Sequence, residues 1–385
     1  MHRTYTRYWM LGAALILAAR IHAAETTPLP APEKPGPYAV GVTTMRFDDS
    51  TRTDATTKAP RVLMTEIWYP ATEDARSLPK NRLMDFFERT ENPELALVLQ
   101  LGFRANIVEA DKAFQNFAVR DARVADGLFP LLLFSHGNGG LRMQNAFWCE
   151  HMASHGYIVV APDHTGNCGV TLIDGQLVSF DDSKEGREKS RIDRPKDLSF
   201  LIDKMDQFNK GGDSRFRGKL DLEHIGVAGH SFGGFTSVWM ADSDPRVKAI
   251  APMAGVAETC QNVTLPAMAL IATEDDTLGL ERTEAIRKFY DARTGPAYAV
   301  EFKNAGHYSF TEMYQLNPTF GDGVGKGKRL ASGEALDYIG RDTAFHLTNA
   351  YTTAFFGKFL KGQTGYDVYL EANHDPKELE VKWKK

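Results

Sequence analysis

Cysteine is scarce in this 385-residue chain, which carries only Cys149, Cys168 and Cys260. That excludes a disulfide-dense scaffold, and because none belongs to a Cys-x-x-Cys pair, zinc and redox readings are weak. At most one internal disulfide is possible; the pairing is open, and burial of all three as small apolar side chains is the alternative. Basic charge is not in excess either. The 45 Lys and Arg face 50 Asp and Glu, for a formal net charge of −5, which argues against nucleic acid or an anionic membrane surface as a partner. No apolar run is long enough to span a hydrocarbon core of about 30 Å, and no internal repeat or low-complexity tract is present.

What is present at the N-terminus is the order of a secretory signal. Arg3 and Arg7 precede an apolar run over residues 8–19, and small residues follow at Ala23 and Ala24. A leader over 1–24, cleaved near Ala23 or Ala24, is expected, with the mature protein secreted or periplasmic and holding no stable membrane anchor. Residues 25–37 carry five prolines and read as a linker.

Composition is otherwise globular, with 43% hydrophobic and 25% charged residues, and the length supports a large core. Two strand-like segments, 38–47 and 62–69, flank a polar stretch at 48–58 suited to a hairpin loop. Residues 78–119 read as a helical insertion. Within it, Asn92 followed by Pro93 and Glu94 predicts a helix start: capping side chain, first-turn proline and early acid. This insertion is expected to be chiefly structural, with a partial contribution to a pocket. From Pro130 onward short apolar strands alternate with helical segments, including 193–205 with Pro195 near its start. That rhythm predicts a mostly parallel sheet covered by helices on both faces, in one domain over 38–385.

The chemistry centres on residues 225–234, Ile-Gly-Val-Ala-Gly-His-Ser-Phe-Gly-Gly. An apolar strand precedes this Gly-x-Ser-x-Gly and a helix-forming stretch follows, the context of a strained strand-to-helix turn that exposes Ser231 as a nucleophile. A glycine-rich turn with a capping serine is the bland alternative. A serine hydroxyl needs a base, and the base needs an orienting carboxylate. His307 follows the strand-like 297–302 in a loop and is the expected base; His346 lies inside the last predicted helix. The carboxylate is expected just after the strand-like 267–272, where Glu274, Asp275 and Asp276 all stand. Backbone N–H donors for an oxyanion are expected from Phe232 and from the loop Ser135-His-Gly-Asn-Gly-Gly, with Asn138 favoured and Gly139 its neighbour. Leu278, Tyr308 and Phe310, together with Phe232, flank these groups and are candidate pocket residues, although core packing is the default for each.

Two other patterns fail on spacing. His151 and His155 stand four apart, but Glu150 precedes the pair, whereas the zinc-protease helix places its acid directly after the first histidine. His155 reads better as complementing a helix dipole. Residues 321–328, Gly-Asp-Gly-Val-Gly-Lys-Gly-Lys, superficially resemble a phosphate loop, but the spacing is wrong and no strand precedes them. No metal and no cofactor is implied.

Val40-Gly-Val-Thr, Ile67-Trp-Tyr-Pro-Ala, Phe134-Ser-His-Gly-Asn-Gly, Ala153-Ser-His-Gly-Tyr-Ile-Val-Val-Ala-Pro-Asp-His and Gly229-His-Ser-Phe-Gly-Gly together resemble a known group. It is the platelet-activating-factor acetylhydrolase and dienelactone-hydrolase-like group of secreted α/β-hydrolases, and the resemblance runs from about Tyr38 to Leu360. Bacterial cutinase-like polyester hydrolases share a similar elbow and acid loop, but usually carry an aromatic residue where this chain has Asn138. True dienelactone hydrolases use a cysteine nucleophile, where Ser231 stands here.

The resemblance implies an α/β-hydrolase fold and a serine carboxylic ester hydrolase acting on short to medium acyl esters, on a small-molecule or lipid-like substrate. Polyester hydrolysis, or acyl transfer through the same acyl-enzyme, is the alternative. A catalytically silent binding protein on this fold is the reading from a different class, and the intact serine, histidine and acid set argues against it. Matching Leu270-Ile-Ala-Thr-Glu-Asp-Asp-Thr-Leu to the polyester-hydrolase acid loop places the triad acid at Asp276. That lies 45 residues after Ser231 and 31 before His307; the rival alignment selects Asp275.

Overall fold

The computed structural model describes residues 29–87, 92–257 and 263–385. The expected leader at 1–24 and Cys260 lie outside the described residues. The strands are β1 (Ala39–Thr53), β2 (Pro60–Ala71), β3 (Val119–Arg120), β4 (Phe129–Ser135), β5 (Ile158–Pro162), β6 (Val170–Ile173), β7 (Gln176–Ser179), β8 (Leu220–His230), β9 (Val247–Met253), β10 (Ala267–Ala272), β11 (Ala297–Phe302), β12 (Lys326–Lys328), β13 (Ala335–Asp337) and β14 (Leu379–Lys384). The helices are α1 (Pro93–Phe103), α2 (Ile107–Ala113), α3 (Ala146–Ser154), α4 (Lys184–Gln207), α5 (Phe232–Ser243), α6 (Gly279–Ala292), α7 (Met313–Leu316), α8 (Arg341–Lys361) and α9 (Asp367–Leu370).

Ten strands form one sheet in the order β14-β11-β10-β9-β8-β4-β5-β2-β1-β3. The middle of it, β11 through β5, is parallel throughout. Strand β14 runs antiparallel to β11, and β2 antiparallel to both β5 and β1, while β3 adds to β1 in parallel. Alternation along the strands explains the two layers. In β4, Leu132 and Phe134 face a core shared with α3 and α8, while Phe129, Leu131 and Leu133 face a second core under α4, α5 and α6. Strand β5 divides in the same way, Val159 and Ala161 against Ile158 and Val160. Each of the Val, Leu, Ile and Phe side chains is removed from water, worth about 1.5–3 kcal/mol when complete. This is the α/β-hydrolase fold. Because the central strands are parallel, their carboxyl ends share one edge, and the loops after β4, β8, β10 and β11 gather there.

Local signals behave as the chemistry demands at α1, where the Asn92 side chain accepts from the N–H groups of Glu94 and Leu95. Several boundaries differ from expectation. The polar stretch 48–58 is mostly strand, not loop, because β1 runs on to Thr53 and pairs with Pro60. Its charges are satisfied there: Asp49 pairs with Arg52, and Asp54 with the buried Arg61. Helix α4 starts at Lys184, capped by Ser183, so Pro195 lies inside it. The hairpin β6–β7 and the charged edge strand β14 were not anticipated. The segment read as a linker is docked from residue 29 onward. His151 Nε2 meets the Pro32 carbonyl at 2.9 Å, His155 Nε2 meets that of Lys34 at 2.8 Å, and Ser154 Oγ accepts from the Gly36 N–H. His151 on α3 and His155 at its C-terminal cap therefore tie down the chain that precedes β1. Cys149 and Cys168 are buried free thiols, and burial pushes both well above the ordinary thiol range.

Candidate active site

Ser231 sits at the turn between β8 and α5 with φ 54° and ψ −118°, a conformation an L-residue adopts only where its surroundings enforce it. Its N–H donates to the Met253 carbonyl at 2.8 Å, which locks the turn to β9. The flanking glycines are needed for steric reasons. A methyl group on Gly233 would overlap the Ser135 carbonyl, and one on Gly229 would overlap that of Gly233. The strand-turn-helix context expected for this motif is thus present.

His307 follows β11 and is 2% exposed; Asp275 follows β10 and is 1% exposed. His307 Nδ1 and Asp275 Oδ2 are 2.8 Å apart. This corrects the expected placement of the acid at Asp276. Asp275 folds back over the sheet edge, where its other oxygen accepts from the Leu278 N–H and closes the turn. The next residue on that turn, Asp276, then projects to solvent. Glu274 turns a third way, accepting from the Leu330 N–H and pairing with Arg329.

Asp322, in the loop dismissed as a phosphate-loop look-alike, joins the two segments. It accepts from the N–H groups of His307, Asp276 and Thr277 and from the Thr277 hydroxyl. Nothing local in the sequence marks it, because its partners lie 15 and about 46 residues away.

The loop after β4 engages the N–H groups on both sides of Asn138. Gly137 donates to Gln144 Oε1, Gly139 to the Asn167 carbonyl and Gly140 to that of Gly137. Among the described residues no acceptor takes the N–H of Asn138, nor that of Phe232 at the start of α5. Arg194 on α4 holds this loop from behind. Fully buried, it donates to the carbonyls of His136 and Gly137, to Ser135 Oγ and to Asn167 Oδ1, and it lies over the Phe232 ring. Burial pushes this guanidinium down to about 9. A signal for it existed: Arg194 and Asp197 interrupt the otherwise apolar buried stripe of α4 formed by Leu198, Leu201, Ile202 and Met205.

Ser231, His307 and Asn138 line a cavity of about 200 Å³. Its apolar wall comes from Leu99 and Phe103 on α1, Met143, Leu316 and Phe320, so the helical insertion does contribute to the pocket. Of the expected pocket residues, Tyr308 lines the cavity, its ring edge-on to Phe320. Leu278 and Phe310 do not. Leu278 packs on the core beneath α6 and Phe310 is wholly buried against Phe302. The Phe232 side chain is also turned away, onto Trp239. No group of His, Cys, Asp and Glu able to hold a metal ion occurs among the described residues, and none of the described helices is long and apolar enough to cross a membrane.

Fold and site thus define an α/β-hydrolase with a serine elbow, a paired histidine and carboxylate, and a free pair of backbone donors. Comparison with known proteins agrees. Residues 24–193 match the family model "Platelet-activating factor acetylhydrolase, isoform II", and residues 182–321 match "PET hydrolase-like". The chain is similar to platelet-activating factor acetylhydrolase of Cavia porcellus, 25% identical over 63% of this chain and 60% of that one. It is likewise similar to cutinase est1 of Thermobifida alba, 25% identical over 46% and 53%. A ferulic acid esterase from Streptomyces cinnamoneus superposes with a TM-score of 0.65 at 24% identity, over 94% of this chain and 98% of that one. The chain spans between half and three fifths of the curated relatives it matches.

Proposed function

We propose that this protein is a serine carboxylic ester hydrolase acting on short to medium acyl esters. The observation that carries the reading is the 2.8 Å contact of His307 Nδ1 with Asp275 Oδ2, in a cavity wall that His307 shares with Ser231. With Nδ1 committed to the carboxylate, the proton on His307 is held there and Nε2 is left as the basic nitrogen. Ser231 Oγ attacks the ester carbonyl as Nε2 takes its proton. The N–H groups of Phe232 and Asn138 receive the developing oxyanion, and the imidazolium then protonates the leaving alcohol. Water, activated by the same histidine, releases the acid from the Ser231 ester.

The apolar cavity receives the acyl chain, and its size favours short to medium lengths. Supporting the reading are the names of the relatives: an acetylhydrolase, cutinases and an esterase. The match of residues 182–321 to the PET hydrolase-like model favours a polyester as a second substrate class. Export through the leader at 1–24 belongs to the same proposal. Hydrolysis rates across p-nitrophenyl esters of rising acyl length test it, alongside release of soluble product from an aromatic polyester film. Maximal kcat/KM at short to medium chains supports the proposal. Activity confined to emulsified long-chain triglyceride, or no ester turnover at all, refutes it.

A further inference from the structure

His230, the residue before the elbow serine, is fully buried and makes two contacts in the plane of its ring. Nδ1 lies 2.9 Å from Gln144 Nε2, and Nε2 lies 2.8 Å from the carbonyl oxygen of His307. Gln144 lines the cavity, and its Oε1 accepts from the Gly137 N–H at 3.0 Å. Its Nε2 also donates to Asn145 Oδ1, while Asn145 Nδ2 donates to the Phe310 carbonyl at 2.5 Å.

The direction of every hydrogen bond in this chain is determined by its backbone ends. Gly137 N–H can only donate, so the Gln144 atom facing it is the oxygen and the amide NH₂ faces His230 and Asn145. The Phe310 carbonyl can only accept, so Asn145 turns its NH₂ to that carbonyl and its oxygen to Gln144. Both ends agree, and Gln144 therefore donates to His230 Nδ1. That nitrogen holds no proton. The proton sits on Nε2 and is donated to the His307 carbonyl. A second proton on the ring would set Nδ1–H against the Gln144 NH₂.

We propose that His230 and Gln144 form a positioning bridge, in which a neutral, Nε2-protonated His230 ties the loop bearing the catalytic histidine to the loop bearing the Asn138 oxyanion donor. One end holds the backbone of His307 itself. The other engages Gly137 N–H, withdrawing the neighbouring donor and setting the orientation of the Asn138 peptide. Gln144 extends the tie further, because its own carbonyl accepts from the Glu312 N–H beyond His307. The ring centroids of His230 and His307 are 4.7 Å apart and Tyr308 stands at 6.3 Å. Burial, with the neighbouring His307, holds the His230 imidazole well below its ordinary range, consistent with a group that stays neutral while His307 cycles its proton. The bridge is a positioning device for the reaction proposed above and rests on that reading for its kinetic part alone; the tautomer does not depend on it.

The test has two arms. In ¹⁵N-histidine-labelled protein without substrate, the His230 resonances report the neutral tautomer protonated at Nε2 from pH 5 to pH 8. In kinetics on a p-nitrophenyl ester, Gln144→Leu and His230→Phe each lower kcat roughly 10- to 100-fold, as expected for a small misplacement of reacting groups, with KM within about threefold. The double variant is no worse than the poorer single one, because the two residues act as a unit. Gln144→Glu covers the case in which either variant fails to fold. It keeps an acceptor for Gly137 but cannot donate to Nδ1, so His230 becomes the imidazolium at pH 6. An Nδ1-protonated or doubly protonated His230 in the wild type overturns the proposal. So does full kcat in Gln144→Leu, losses that multiply in the double variant, or a His230 that stays neutral in Gln144→Glu. Because the spectra need no substrate, an inert enzyme with the stated tautomer would fault the esterase reading and leave the bridge standing.

Discussion

The carboxylate of Asp275 meets His307 Nδ1 at 2.8 Å, while the adjacent Asp276 contributes only its backbone N–H, donated to Asp322. Two acids side by side on a turn are directed apart, and only the buried one reaches the ring. Asp275→Asn is expected to lower kcat by about 10⁴, because the imidazole loses the tautomer its role requires. Asp276→Asn, whose side chain faces solvent, is expected to keep most of the activity. Steady-state rates on a soluble ester, with circular dichroism to verify folding, check the ranking.

Asp322 gathers four donors from the acid and histidine loops. Replacing it by Ala leaves those N–H groups to water and lets the two loops move independently. The expected result is a fall in kcat of roughly 10- to 100-fold, with Tm lowered modestly and labelling of Ser231 slowed in proportion. Unchanged kcat in Asp322→Ala would show that the loops hold their geometry without it.

Gly102 lines the cavity from α1, and a Cβ added there meets nothing within 4 Å. Leucine at this position adds bulk to the apolar wall beside Leu99 and Phe103 and also suits a helix better, by about 1 kcal/mol. Gly102→Leu is therefore expected to retain turnover of acetyl esters while losing at least about tenfold in kcat/KM on hexanoyl esters. Relative rates on the two esters measure this directly.

Glu150 and Glu312 are buried carboxyls, pushed up by burial to about 8 and about 7. Their folded values lie above those of the unfolded chain, so in the window between the two the native state binds more protons than the unfolded state. The contribution of these two groups to stability is then full below the ordinary carboxyl range and is lost as pH rises toward about 8. Glu150 Oε1 has no hydrogen-bond partner. Glu150→Gln is expected to flatten the decline, with Tm above that of the wild type at pH 9 and little changed at pH 5. A Tm difference between Glu150→Gln and the wild type that stays constant or shrinks from pH 5 to pH 9 would contradict this sign.

What could be read in advance follows from how local its cause is. The elbow was legible because the sterics of Gly229, Ser231 and Gly233 act within five residues, and the start of α1 because Asn92 caps its own helix. The carboxylate was narrowed to three adjacent residues and no further by spacing, since a one-residue step on a turn reverses the side chain. The family-like alignment that selected Asp276 carried no information on that direction. Asp322, Arg194 and the Gln144–His230 bridge depend on contacts 15 to 86 residues apart, which no local pattern encodes. The edge strand β14 was missed for a related reason. Its two lysines and Glu380 suit a solvent-facing edge, and only the pairing of Leu379 with Phe302 and Val381 with Val300 reveals it as sheet.

The account stands on Ser231 as the nucleophile of an acyl-enzyme, and labelling with a fluorophosphonate probe tests that most directly. The wild-type protein should acquire one probe per chain, on the tryptic peptide containing Ser231, with ester turnover lost in step. Ser231→Ala, folded by circular dichroism, should acquire none and hydrolyse no ester. Labelling or turnover that survives in Ser231→Ala would contradict the account.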